Sequence, residues 1–371
     1  MDLMGIINLY ESEELLQELT RYRPLAAVPF GGRYRLIDFV LSNMVNSGIS
    51  NVGILLKDKY RSLMDHLRSG KEWDLARKRD GLVLMPPAYS ANPGNSGRGG
   101  DADNFYSNLD YIRFSRQKHV VIAGSNILCN LNYQAALEFH RHSGAEVTVL
   151  YTDSHCVSDC NGAVLVELAE DGRITDIEVS AGGKQRGKMS LGMYIMEREL
   201  LISLIEDCIA HGGYDFVKHC LIRSLDRLKI FGYRHEGYAA RISSLATYFY
   251  HSMELLNPAV SQELFSKSGL IYTKVKDEPP SKYIGTAKVT NSLVAGGCII
   301  EGTVENSILF RGVTVKKGVH IKNSIVMQKG IIDSGAKLEQ VICDKNVHIT
   351  AGRQLKGDMG YPLVVKKGMV V

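Results

Sequence analysis

Residues 284–352 read IGTAKVTNSLVAGGCIIEGTVENSILFRGVTVKKGVHIKNSIVMQKGIIDSGAKLEQVICDKNVHITAG. Four related hexads run through them: VTNSLV from Val289, VENSIL from Val304, IKNSIV from Ile321 and LEQVIC from Leu338, in steps of 15, 17 and 17. Gly302, Gly318, Gly335 and Gly352 keep the same beat, in steps of 16, 17 and 17. A period of about 17–18 residues is one coil of a parallel β-helix, with three short strands per turn. Glycine then stands at the corners and the aliphatic residues stack in the lumen. A β-sandwich would not hold so constant a beat.

Upstream the text changes. NVGILLKD (51–58), HVVIAGSN (119–126) and AEVTVLYTD (145–153) are short, β-branched and apolar, as the strands of a buried parallel sheet are. Between them LIDFVLSNMVNSG (36–48) and NYQAALEFHRHSG (132–144) have helical spacing and close on a glycine suited to a C-cap. This alternation predicts a doubly wound α/β domain over residues 1–250, with ligands at the carboxyl ends of its strands. Residues 251–283 read as a connecting helix and linker, ending in the proline break VKDEPPSKYIG, and 284–371 as the β-helix. The stretch LMPPAYSANPGNSGRGGDADN (84–104) is a long loop by composition.

The bulk properties exclude several classes. A net charge of +4 over 371 residues gives no reason to expect nucleic acid as a partner. No apolar run reaches the roughly 18–20 residues of a membrane span, and the acidic start MDLMGIINLYESEELLQ lacks the basic region of a signal peptide. Seven scattered cysteines, of which only Cys156 and Cys160 are close, read as reduced thiols in a cytoplasm rather than a zinc site. His140 and His142 lie two apart on a helix, hence on different faces.

An α/β half carrying VPFGGRYRLIDFVLSN (28–43) ahead of a β-helix resembles the ADP-glucose pyrophosphorylase (glucose-1-phosphate adenylyltransferase) family. LSNMVNSGISNVGIL (41–55) and DADNFYSNLDYI (101–112) extend the likeness, which runs through about residue 360 and is nearest to the regulatory, non-catalytic GlgD-type subunit of bacterial glycogen synthesis. The resemblance implies a Rossmann-like nucleotidyltransferase domain followed by a left-handed parallel β-helix. The family makes ADP-glucose from ATP and glucose 1-phosphate with Mg²⁺.

The family's phosphate loop, G-G-x-G-x-R-L-x-x-L-T, is where this chain departs. Aligned back from Pro29-Phe30-Gly31-Gly32, its paired glycines fall on Tyr10 and Glu11, its third on Glu13, its arginine on Leu15, and the lysine of A-K-P on Leu25. Bulky residues stop backbone N–H groups from closing on a triphosphate. Leucine cannot stabilise phosphoryl charge. At about 5 Å and an effective dielectric near 20, each Glu–phosphate pair costs roughly 3 kcal/mol. ESEELLQEL (11–19) instead has the pattern of an amphipathic helix with Ser12 near its start. Further losses follow from the resemblance: Ser125 for the Mg²⁺-holding aspartate of S-G-D-H, Ser180 for the sugar-phosphate lysine, and Arg241 for the aspartate of W-x-D-V-G-T. Asp103, Ser190, Gly192, Tyr194 and Asp215 keep family residue types, as a vestigial substrate pocket.

No catalytic residue, metal site or cofactor is therefore expected, Mg²⁺ belonging to a catalytic partner. Arg23, Arg33 and Arg35 are candidates for a sugar-phosphate effector, since arginine forks bind phosphate well. Solvation, or ion pairs to Glu11, Glu13 and Glu14, is the alternative for that cluster. The expected function is a silent regulatory subunit that enhances ADP-glucose synthesis by a catalytic homologue in a hetero-oligomer, a tetramer. The competing readings are a residual nucleotidyltransferase using Asp103 and Asp215, a β-helix acyltransferase using His320 or His348, and a translation-factor exchange scaffold, which would carry a further helical domain.

Overall fold

The computed structural model describes residues 2–87, 100–153, 161–182, 187–285, 287–358 and 360–371. The apolar runs form strands β1 (Leu3–Asn8), β2 (Asn51–Leu55), β3 (Gly81–Met85), β4 (His119–Ala123), β5 (Val147–Thr152), β6 (Val164–Leu168), β7 (Ile174–Val179), β8 (Lys188–Glu197) and β9 (Ile230–Arg234). Among the described residues these nine make one sheet in the order β7-β6-β8-β4-β1-β2-β3, with β5 bridging β8 and β9. Pairing is parallel across β4-β1-β2-β3 and between β5 and β9.

β8 runs antiparallel to β4, β5 and β6, so the sheet is mixed where a parallel one was expected. The antiparallel β6–β7 pair turns the chain back before β8, and a hairpin reverses direction without changing strand composition. Alternate residues of the central strands feed opposite cores. Leu3, Ile7, Val121 and Ala123 pack on the helices Leu36–Asn46 and Tyr133–Ser143. Met4, Ile6, Val120 and Ile122 pack on Asp101–Ser107 and Arg198–Ala210. Both faces are covered, as the doubly wound reading requires.

From Lys282 onward, three five-stranded parallel sheets coil into a left-handed β-helix. Val304, Ile321 and Leu338 stack in one register and Ile300, Val315, Ile332 and Ile349 in another, all buried. The repeated Asn-Ser has a physical cause. Asn291, Asn306 and Asn323 turn a corner at φ between 42° and 45°, a conformation that asparagine tolerates better than most residues. The following serines form a ladder, Ser292 Oγ accepting from Ser307 N at 3.1 Å and Ser307 Oγ from Ser324 N at 3.0 Å. Gly318, Gly335 and Gly352 turn another corner at φ of 72–76°. Gly302 lacks a positive φ, and a Cβ there would lie 2.6 Å from the Val319 carbonyl.

The two halves share a buried core. Leu16, Leu19, Leu25, Phe30, Phe39, Tyr248 and Leu264 meet Ile308, Phe310, Ile325, Met327 and Ile342 of the β-helix wall. The helix Leu245–Glu254 runs through residue 250 and donates the Tyr248 hydroxyl to the Pro29 carbonyl at 2.7 Å. Among the described residues no helix is long and apolar enough to cross a membrane.

Candidate functional site

A cleft of about 410 Å³ opens at the carboxyl ends of β1 and β4, lined by Asn8, Tyr10, Glu11, Leu15, Asp101, Ala123, Ser190, Gly192, Tyr194, Asp215 and Arg241 among others. Strand ends are where open α/β sheets take their ligands. Tyr10, Glu11 and Leu15 of the degenerate loop and most of the vestigial pocket therefore converge, while Glu13 lies outside this lining.

The loop is closed by its own carboxylates. Glu11 Oε1 accepts from the backbone N–H of Ser125 and, at 3.0 Å, from its hydroxyl. Glu13 Oε1 accepts from Leu25 N at 2.7 Å, while Oε2 takes Lys59 Nζ at 2.7 Å. Burial raises the Glu11 pKa, against the opposing hydrogen bonds from Ser125. The helix expected over residues 11–19 is correspondingly short. A single 3-10 turn, Glu14–Leu16, leads into Gln17–Thr20, and neither has a side-chain cap, so Ser12 does not start it. Leu16 and Leu19 bury toward the junction core, Leu15 stays half exposed on the cleft, Glu11 and Glu13 turn inward to N–H groups, and Glu14 is exposed. Lys57 Nζ lies over the Tyr10 ring at 4.7 Å from its centroid.

The metal-related positions are engaged otherwise. Both the N–H and the hydroxyl of Ser125 face Glu11. Asp215 Oδ1 caps the turn Phe216–Leu221 through Lys218 N at 2.8 Å. Among the described residues no three His, Cys, Asp or Glu side chains converge as metal ligands.

Asp103 does not reach the cleft; its Oδ2 accepts from Gly100 N at 3.1 Å at the start of its own helix. Asp101, which the sequence reading passed over, is the inward acid. Its oxygens accept from Asn8 Nδ2 at 2.9 Å and Phe216 N at 2.8 Å, and burial pushes its carboxyl up to about 6. The available signal was the D-A-D pattern, whose two acids sit about 200° apart on a helix start. Ser190 Oγ accepts from Gly192 N at 3.1 Å, and burial pushes the Tyr194 hydroxyl up to about 12. Ser180 is buried and accepts from Gly182 N, outside the cleft lining. Arg241 reaches the Asn161 carbonyl at 3.1 Å.

The three candidate arginines separate. Arg23 is buried, its Nη2 2.6 Å from Asp344 Oδ2 of the β-helix and its Nε donating to the Leu19 carbonyl. This pair takes the place of the ion pairs to Glu11, Glu13 or Glu14 considered above, and Arg23 does not line the pocket that holds the other two. Arg33 and Arg35 instead line a small pocket with His66, Lys274, Lys276, Arg311, Gln328 and Lys345, drawn from the α/β half, the linker and three coils. Asp38, the carboxylate nearest Arg35, already accepts from Arg35 N and faces His66 Nε2 at 2.5 Å. Burial lowers the Arg35 pKa to about 10 and that of Lys345 to about 6, with the neighbouring cations adding to the effect on Lys345.

His320 and His348 sit on the outer β-helix surface, beside Glu305 at 3.3 Å and Asp333 at 2.8 Å. Cys129, Cys208, Cys220, Cys298 and Cys343 are buried free thiols, while Cys156 and Cys160 lie outside the described residues.

A mixed sheet with its cleft at the strand ends, continued by a hexapeptide-type β-helix, defines a sugar-nucleotidyltransferase architecture. Residues 14–229 match the Nucleotidyl transferase family and residues 279–361 the GlmU-like, C-terminal hexapeptide family. The chain is 42% identical to the glycogen biosynthesis protein GlgD of Bacillus subtilis (strain 168), over 99% of its length and 96% of the relative's. It is 45% identical to that of Geobacillus stearothermophilus, over 99% and 97%. The glucose-1-phosphate adenylyltransferase of G. stearothermophilus is 32% identical over 83% of the chain and 80% of that enzyme. The chain belongs to the nucleotidyl transferase family and, within it, to the GlgD glycogen biosynthesis proteins.

Proposed function

We propose that this chain is a non-catalytic regulatory subunit of a glucose-1-phosphate adenylyltransferase, raising ADP-glucose synthesis by a catalytic homologue in a cytoplasmic hetero-oligomer, a tetramer. The observation that carries this is the loop Tyr10–Leu15. Glu11 and Glu13 already hold N–H groups and a lysine that could otherwise meet an anion, and a phosphate approaching them meets like charge. Magnesium belongs to the partner, because Ser125 and Asp215 are engaged elsewhere. Effector control rests on Arg33 and Arg35 with the surrounding cations, since a site built from both halves can transmit ligand binding to their packing.

ADP-glucose formation is measured with this chain alone, a catalytic homologue from the same cell alone, and the two mixed. The expected result is silence alone and a mixture faster than the homologue. Product from this chain alone would overturn the proposal in favour of a residual nucleotidyltransferase.

A further inference from the structure

The cleft at the strand ends keeps its floor although the loop over it is closed. Tyr194 pairs with Ile122 and Ile7 with Ala123, so the sheet register sets Tyr194 and Asn8 on either side of the end of β4. Both line the cleft. The Asn8 amide is oriented by its neighbour: Nδ2 donates to Asp101 Oδ2 at 2.9 Å, which leaves Oδ1 as an acceptor. That oxygen is buried and, among the described residues, has no hydrogen-bond partner. The Tyr194 hydroxyl is in the same condition. Tyr194 is only 4% exposed, and its ring is fixed edge-on against Phe216 at 5.7 Å between centroids. The Ser190 hydroxyl nearby does not meet it in hydrogen-bonding geometry. Buried polar atoms are nearly always paired, so two orphans on one cleft wall call for a ligand.

Charge narrows what that ligand can be. Glu11, Glu14, Asp101 and Asp215 line the cleft against Lys218 and Arg241. Arg241 is turned to the Asn161 carbonyl, and Lys218 lies 3.9 Å from Asp215. Acids in excess repel an anion, and the Ser125 N–H that could greet one already faces Glu11. What remains on offer is chiefly acceptor capacity. A carboxylate has about four lone-pair sites, of which the printed bonds of Asp101 and Asp215 use a part. Leu15, Val164 and Val179 add apolar surface, and the volume of about 410 Å³ suits a small molecule.

We propose that this cleft binds a neutral, hydroxyl-rich ligand, a sugar without phosphate, that donates to Asn8 Oδ1 and accepts from the Tyr194 hydroxyl. The ligand class differs from the sugar phosphate and nucleotide that the related enzymes convert, because the same closed loop that repels phosphate leaves the floor open to an uncharged molecule. The inference rests on the closed loop of the regulatory reading and not on activation of a partner.

The test is calorimetric titration of D-glucose, glucose 1-phosphate and adenine into the full chain, without nucleotide or Mg²⁺. Glucose is expected to bind, glucose 1-phosphate at least tenfold more weakly, and adenine not detectably. Tyr194→Phe removes a hydroxyl that has no partner in the folded chain, so it should unfold in urea no more easily than the parent. It should nevertheless lose about threefold to tenfold in glucose affinity, the range of one neutral hydrogen bond. A purely structural Tyr194 would move stability and leave glucose affinity alone. No glucose binding, unchanged affinity in Tyr194→Phe, tighter binding of glucose 1-phosphate, or adenine binding in place of glucose each overturns the proposal. None of these outcomes touches the regulatory reading, which fails separately if the chain alone forms ADP-glucose.

Discussion

Arg23 and Asp344 meet at 2.6 Å across the junction, one from the α/β half and one from the β-helix, and both are buried. An ion pair removed from water contributes little net stability while intact, but breaking it strands a charge. Arg23→Ala is expected to lower unfolding stability by about 3–5 kcal/mol in urea titrations. Replacing both partners together, Arg23→Met with Asp344→Leu, should recover most of the loss. A single variant as stable as the parent would contradict the buried pair.

Glu11 supplies a second case. Its carboxylate answers the Ser125 N–H, so Glu11→Ala leaves that donor without a partner and should cost about 1–3 kcal/mol. Glu11→Gln keeps an acceptor. Because burial raises the Glu11 pKa in the folded state, the native chain holds its proton more tightly than the unfolded chain does. Stability from this group is greatest in acid and falls as pH rises from the ordinary carboxylate range through the raised folded value. The stability difference between Glu11→Gln and the parent should therefore shift toward the variant as pH rises.

Asp101 follows the same sign with a defined window. Its folded pKa of about 6, against an ordinary 3.8, withdraws stability between those two values as pH rises. The shift corresponds to roughly 2–3 kcal/mol. Asp101→Asn should lack that loss, since an amide oxygen can still accept from Phe216 N and a turned Asn8 amide can accept from its nitrogen. Parallel pH profiles for the two proteins would show that Asp101 titrates normally.

Restoring the loop alone should not restore chemistry. Glu11→Gly, Glu13→Gly and Leu15→Arg together remove the internal carboxylates and return a phosphate-binding side chain. Ser125, Ser180 and Arg241 remain where the resemblance expects aspartate, lysine and aspartate, and phosphoryl transfer without its metal carboxylates lacks its main charge stabilisation. ADP-glucose formation by the triple variant alone is expected to stay at background.

Single neutralisations in the junction cluster should act through charge. Arg33→Ala or Arg311→Ala is expected to weaken sulfate binding about tenfold to a hundredfold, the range of one charge-assisted hydrogen bond. Arg23→Lys should leave sulfate binding unchanged, because Arg23 faces Asp344.

Local pattern and exact periodicity decided much at the level of sequence. The repeat of 15–17 residues, its periodic glycines and the helix-ending glycines specify a β-helix and α/β alternation, because each is a short-range requirement of backbone geometry or burial. The loss of loop glycines was legible for the same reason. The direction of β8, the inward role of Asp101 over Asp103, the pairing of Arg23 with Asp344 and the gathering of Lys274, Lys276, Arg311 and Lys345 around Arg33 and Arg35 were decided only by the tertiary structure. Those outcomes turn on which side chains are brought together from up to 321 positions apart. A carboxylate or an ammonium carries no mark in the sequence of the partner that burial will force upon it.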